Sequence, residues 1–362
     1  MKKPNFAQSI KMISTANKTR QIYLFFLTGL LLVSCNRHKK VDVSNIHLDV
    51  TIQRFDKDFD SMRYKPMAIQ AAFLQKKYGI FYKDFIEQII QAGKINDTSY
   101  FQTLREMFKG KPYLDLKHDV DSVYPNTDEQ NAELTDAFKR IKYYFPQQQL
   151  PKVYAYFSGF ELQRTIGNDY CGIGLDCFLG ANSRFYPALT KVFPHYLSQF
   201  FKPDNIAPRT VEAIIREDMF PEHDDDKPLL TKMIYNGKIM YMMDQVLPDV
   251  PDSTKIGYTA RQMQWCNQFE GSIWGYFMEQ NLLYESDYNK IQEYVSVAPF
   301  TPGLGEHNES APKLGIWAGW QIVRKYMEKH PEITLPQLMA ETDEQKILNG
   351  SGYHPKDNSS GE

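Results

Sequence analysis

The sequence is poor in the residue patterns on which several common chemistries rest. Its eight histidines, His38, His47, His118, His195, His223, His307, His330 and His354, never stand within five positions of one another. That excludes a local zinc helix, because two imidazoles share an ion only when they lie one turn apart. Ser158, in Tyr156-Phe157-Ser158-Gly159-Phe160, lacks the flanking glycines of a nucleophile elbow. Gly172 and Gly174 have neither the third glycine of a dinucleotide fingerprint nor the Lys-Ser/Thr of a phosphate loop. Asp224, Asp225 and Asp226 lack the spacing of an EF-hand and read as a solvated loop. There is no dense Lys/Arg tract, which argues against nucleic acid as a partner. Internal repeats and low-complexity runs are absent as well.

Cysteine is scarce, and one of the four is placed to be modified. The first 34 residues carry Lys2, Lys3, Lys11, Lys18 and Arg20, no acid, and the apolar run 22–33, the layout of a secretory signal. That run of 12 residues is too short for a spanning helix, which needs roughly 20. Leu32-Val33-Ser34-Cys35, which closes it, resembles a bacterial lipobox. Such a site carries a diacylglyceryl group on the cysteine thiol and is cut just before it, so Cys35 becomes a lipidated N-terminus. Acyl chains contribute about 0.8 kcal/mol per buried methylene and hold the chain on a membrane.

Cleavage leaves 328 residues and moves the formal net charge from −2 to −7. Residues 35–45, with Arg37, His38, Lys39 and Lys40, read as a polar tether; ten such residues reach at most about 35 Å. Cys171, Cys177 and Cys266 are an odd set for an oxidising compartment. If 171–179 is one strand, Cys171 and Cys177 stand roughly 20 Å apart. No disulfide spans that unless the chain turns at Gly172 or Gly174, and buried thiols are the expected state.

Alternation of Leu48, Val50 and Ile52 predicts a strand over 46–55. Two more are predicted over 153–158 and 171–179. Helical periodicity covers 58–91, with Phe73, Tyr78, Phe81, Phe85, Ile89 and Ile90 facing inward, then 98–108 and 129–144. Beyond Gly180 the chain reads as helices over 185–201, 208–219, 229–247, 259–281, 285–294, 310–329, 335–341 and 343–348, separated by Pro and Gly. The expected fold class is α+β, a small N-terminal sheet followed by a dominant helical half. It forms one domain over 46–355 with a frayed tail over 356–362. Trp265, Phe269, Trp274 and Phe277 on one helix, and Trp317, Trp320, Val323 and Met327 on another, read as core. Gly315 and Gly319 allow a close neighbour there. Arg324, among core positions, requires a partner.

Several of these stretches together resemble the gliding motility lipoprotein GldB family of the Bacteroidota. They are Arg54-Phe55-Asp56, Tyr143-Tyr144-Phe145-Pro146 before Pro151-Lys152-Val153-Tyr154, Gly174-Leu175-Asp176-Cys177-Phe178-Leu179-Gly180, and Gly315-Ile316-Trp317-Ala318-Gly319-Trp320-Gln321-Ile322-Val323. The likeness implies a lipid-anchored cell-envelope protein of the gliding apparatus, linked to type IX secretion, whose partners are the membrane and other envelope proteins. Asn36 after Cys35, without the acidic signal used for surface export, points to the periplasmic side.

A weaker likeness connects that family to predicted zinc peptidases. On their pattern Ile215-Arg216-Glu217-Asp218-Met219-Phe220 is the zinc helix and Tyr235-Asn236-Gly237-Lys238 supplies the third ligand. Glu217 matches the general base, but Arg216, Phe220 and Asn236 occupy the ligand positions. The resemblance therefore implies a degenerate scaffold without metal, cofactor or catalysis, in which Arg216, Glu217 and Asn236 converge in the old cleft, pairing with one another or binding a peptide. The plainer alternative is a helix surface bearing an ordinary charge pair. Two other functions stay open: a hydrolase with an atypical metal set, and a carrier of lipid or peptide in a cavity lined by Trp265, Trp274, Trp317 and Trp320. Arg54, Asp56, Asp176, Trp317, Trp320 and Arg324 are structural or interaction candidates. Replacing Cys35 with Ser is expected to move the protein from the membrane pellet to the soluble fraction, read by immunoblot; a membrane-bound Cys35→Ser protein contradicts the lipid anchor.

Overall fold

Lys152–Tyr156 (β2) and Tyr170–Gly174 (β4) are the centre of the sheet, and both are buried on nearly every residue. They run parallel, Val153 beside Cys171 and Ala155 beside Ile173, and a parallel pair needs cover on both faces, which their Val, Tyr, Ala and Ile side chains suit. Gln53–Arg54 (β1) adds a parallel edge to β2, and Arg164–Ile166 (β3) an antiparallel edge to β4, giving the order β1-β2-β4-β3. This computed structural model describes residues 40–161, 163–222, 227–304 and 310–357. Cys35 with its lipobox, tether residues 36–39, His223 to Asp226 and the last five positions of the expected tail lie outside them.

The lead-in corrects the first predicted strand. Burial does alternate from Ile46 to Ile52, but only Gln53 and Arg54 pair with a strand. The backbone N–H groups of Val50 and Ile52 instead donate to Thr135 Oγ1 (2.9 Å) and Asn131 Oδ1 (2.8 Å). The alternation reports a buried face; side chains of a helix supply the partners a strand would have given. Likewise the strand predicted over 171–179 stops at Gly174 and tightens into a 3₁₀ turn, Leu175–Phe178. Cys171, Cys177 and Cys266 are free and buried, and burial pushes the Cys171 thiol up to about 12.

Helices in chain order are Phe55–Asp60 (α1), Met67–Tyr78 (α2), Ile80–Asp84 (α3), Tyr100–Lys109 (α4), Lys111–Val123 (α5), Asp128–Tyr144 (α6), Ile206–Ala213 (α7), Leu229–Val246 (α8), Asp252–Ile256 (α9), Ala260–Gln268 (α10), Glu270–Glu279 (α11), Tyr288–Val295 (α12), Leu314–Lys329 (α13), Leu335–Ala340 (α14) and Glu344–Ser351 (α15). With the small sheet these make the expected α+β fold. The predicted helix over 58–91 is broken into shorter pieces, one break falling at Gly79 with φ +57°, a backbone setting that glycine adopts without penalty. Phe73, expected inside, is 48% exposed. Tyr78, Phe81 and Phe85 do face inward and meet Phe55 edge to face at 4.8–4.9 Å between ring centres.

Further corrections have local causes. The helix predicted over 185–201 reduces to single turns at Tyr186–Leu189 and His195–Ser198, since Pro187 and Pro194 fit only a first turn. The predicted 259–281 helix splits at Phe269 into α10 and α11. There Asp357 Oδ1 accepts the Ser272 N–H at 2.7 Å, so this part of the expected frayed tail is tied down.

In the helical half α8 crosses α13 backbone to backbone. A β-carbon on Gly319 would lie 1.9 Å from the Met233 carbonyl oxygen, and one on Gly237 2.3 Å from that of Gly319. Trp317 and Trp320 flank this contact, fully buried. Gly319→Ala is expected to destabilise the fold by about 3 kcal/mol, the upper range for overpacking, read as a lower urea midpoint; an unchanged midpoint contradicts the close crossing.

Candidate functional site

Beyond Ala213, α7 continues into a π-helical segment, Ile214–Met219. Bonding from i to i+5 widens the turn, a distortion found often at functional sites. It separates the residues the peptidase pattern would bring together. Arg216 turns inward, whereas Glu217 is exposed and Phe220 packs on the Phe145 ring at 5.5 Å. The inward carboxylate is Glu212, one α-turn before Arg216, which sequence reasoning did not single out. Arg216 Nε donates to Glu212 Oε1 at 2.9 Å and its Nη1 to Asn236 Oδ1 at 2.8 Å. Asn236 in turn donates from Nδ2 to the Lys232 carbonyl at 2.8 Å, fixing its amide. Arg209 Nη1 holds the other Glu212 oxygen at 2.6 Å, and its Nη2 donates to the Thr254 carbonyl at 2.7 Å and to that of Lys255. Thus two of the three expected site residues, Arg216 and Asn236, meet, and Glu217 does not join them.

These groups line a cavity of about 360 Å³ between β3, the π segment, α8 and the start of α13. Arg164 and Lys313 also reach its wall, as do the apolar Phe200, Phe201 and Ile316. Burial works against the Glu212 carboxylate, yet the charges of Arg209 and Arg216, with Lys313 and Arg164 behind them, hold it well below the usual range. Lys313 is pressed down to about 8 by burial and by Arg209 and Arg216, against the pull of Glu212. The positions matching zinc ligands hold a guanidinium, a phenyl ring and an amide. Four cations surround one carboxylate, and such a set does not fit a divalent cation.

The other singled-out residues form three separate constellations. Arg324 has its partner: Nε and Nη2 donate to Asp244 at 2.7 and 2.8 Å, Nη1 to Asp252 at 2.7 Å. Lys255 Nζ reaches Asp244 Oδ1 at 2.8 Å, Trp320 Nε1 reaches Oδ2 at 2.9 Å, and the Arg324 guanidinium lies 3.8 Å from the Trp320 ring centre. Arg54 forks onto Asp56 at 2.8 and 2.7 Å and donates to the Tyr124 carbonyl at 2.7 Å. Burial pushes the Asp56 carboxyl up, against the pull of Arg54. Asp176, fully buried, accepts N–H bonds from Ser158, Gly159 and Phe160 at 2.7–3.0 Å on Oδ2. That clamp holds Gly159 at φ +83° and Phe160 at φ +72°, a setting a non-glycine residue adopts only when its surroundings enforce it. Trp265 and Trp274 are partly buried, Trp274 against Tyr353 at 5.3 Å, and none of the four tryptophans lines the cation-walled cavity.

A small mixed sheet, a dominant helical half and a cation-lined cleft make this an α+β protein with a charged cavity at the approach to its helical half. The chain belongs to the gliding motility protein GldB family, whose model matches residues 36–355. No curated protein and no solved structure matches it. Among the described residues no helix is long and apolar enough to cross a membrane. Since the folded carboxyl of Glu212 sits below its ordinary value of 4.5, its contribution is present above that pH and lost as pH falls. Glu212→Gln, which leaves two guanidinium groups uncompensated, is expected to cost about 3 kcal/mol at pH 7. The gap to wild type should begin to narrow as pH falls through about 4.5 and keep shrinking toward the depressed folded value in denaturant titrations; a gap as wide at pH 3 as at pH 7 contradicts the assignment.

Proposed function

We propose that the protein is a lipid-anchored component of the cell envelope, held through Cys35 and facing the periplasm. In this reading it serves gliding motility and the type IX secretion linked to it by binding another envelope protein, without catalysing a reaction. Membership of the GldB family supports the motility assignment. The observation that carries the non-catalytic part is the Glu212–Arg216–Asn236 chain, whose 2.9 and 2.8 Å contacts close off two of the three positions a peptidase would use for zinc. An inward Arg216 repels a dication, and neither of its hydrogen-bond partners could give up that bond cheaply inside the cleft. The packed Trp317 and Trp320 support a solid core rather than a carrier's chamber.

Glu217, the residue in the general-base position, gives a direct test. In a gliding host lacking its own copy, plasmid-borne Glu217→Gln protein is expected to restore colony spreading as well as wild type does. Loss of spreading at normal protein abundance would instead favour an active hydrolase. Cross-linking in that host, followed by mass spectrometry, is expected to yield an envelope protein of the motility or secretion apparatus; cross-links to none of them contradict the partner reading.

A further inference from the structure

The cavity wall carries more positive charge than its one acid can balance. Arg164, Arg209, Arg216 and Lys313 face it, and Glu212 is the one carboxylate among its described lining residues. Arg209 and Arg216 already share Glu212, on separate oxygens. Arg164 is left over: its Nε is buried and has no hydrogen-bond partner among the described residues, and its Nη1 has a long 3.5 Å contact to Gln163. A buried guanidinium N–H without an acceptor is costly, and a ligand oxygen would relieve it.

A second feature points to the same sign of charge. Helix α13 begins at this wall, with Pro312, Lys313 and Ile316 in the lining, and no side chain caps its N-terminus. Sixteen residues of aligned peptide dipoles therefore direct their positive end toward the cavity. Lys313, which starts the helix, is held at φ +56°, a setting that disfavours a lysine and favours glycine. The strained lysine places its ammonium where the cavity is already cationic, its Nζ donating to the Ile256 carbonyl.

We infer that this cavity is a binding site for a phosphate ester, its oxygens taken by Arg164, Arg216 and Lys313 and its organic part lying against Phe200, Phe201 and Ile316. Guanidinium forks match the tetrahedral oxygens of phosphate, and a phosphate monoester carries up to two negative charges, enough to offset most of the surplus. A single carboxylate would leave most of it unbalanced. The volume of about 360 Å³ suits a small headgroup rather than a folded peptide. This inference stands apart from the motility reading, because binding to purified protein does not depend on gliding.

The test uses the lipidated chain purified in a non-ionic detergent, titrated calorimetrically with inorganic phosphate and glycerol 3-phosphate, and separately mixed with phosphatidylglycerol or phosphatidylcholine vesicles. Two variants are compared: Arg164→Gln, whose side chain makes few contacts to lose, and Lys313→Gly, which removes a cation while relieving the backbone at a positive φ. Circular dichroism and melting confirm that each is folded. Binding of the soluble phosphates weakened at least tenfold in both variants supports the site and a free ligand. Binding only to phosphatidylglycerol vesicles, lost in both variants, supports the site with a lipid headgroup as source. No binding to any of these probes, or binding unchanged in both folded variants, overturns the inference.

Discussion

The contact between α8 and α13 is the constraint on which the helical half depends. Gly237 and Gly319 bring two backbones together where any β-carbon would collide, so the two helices can take only one register. That register sets both ends of the pair. Toward one end Asp244 of α8 meets Trp320 and Arg324 of α13, with Lys255 and Asp252 completing a partly buried ionic cluster. Toward the other, Asn236 of α8 and Lys313 before α13 enter the wall of the cation-lined cavity. A partly buried ionic cluster gives little net stability, but its directional bonds admit few alternative packings. Here it locks a crossing that apolar burial alone would leave free to slide.

The sheet half is organised differently. Its core is built from rings, with Phe55 at the centre of edge-to-face contacts to Tyr78, Phe81 and Phe85. Two buried carboxylates, Asp56 and Asp176, each fasten an irregular stretch next to a strand. Asp56 does so through Arg54, which reaches the Tyr124 carbonyl, and Asp176 through the N–H groups of Ser158, Gly159 and Phe160. In both places polar groups buried near the sheet are satisfied where regular pairing ends.

Much of this was legible from residue order because the responsible contacts are short in sequence or carry a strong chemical requirement. Gly315 and Gly319 announced a close helix neighbour, and Arg324 among apolar positions demanded a partner, which Asp244 and Asp252 supply. The thiols are free and buried as expected, although the spacing behind that expectation assumed a strand that in fact ends at Gly174. What was not legible depends on tertiary context. Alternation over 46–55 showed the buried face but not that Asn131 and Thr135 would replace a neighbouring strand. Phe73 sits at helix spacing with core residues, yet the breaks on either side of α2 leave it turned to solvent. The cavity itself is assembled from β3, the π segment, α8 and the approach to α13, whose residues are distant in the chain and individually ordinary. Glu212 was missed because the motif pattern directed attention to Glu217, while Glu212 lies one turn earlier on α7, outside that pattern.

The side-chain hydrogen bonds to the lead-in carry a mechanical consequence. Between Ile46 and β1 the backbone is secured by Thr135 and Asn131 at Val50 and Ile52, and by a strand only two residues long. The inward side chains of the lead-in, Leu48, Val50 and Ile52, pack on the core besides. The lead-in is therefore coupled to α6 as well as to the sheet: a pull on it is shared between Thr135, Asn131 and the apolar contacts of Leu48, Val50 and Ile52.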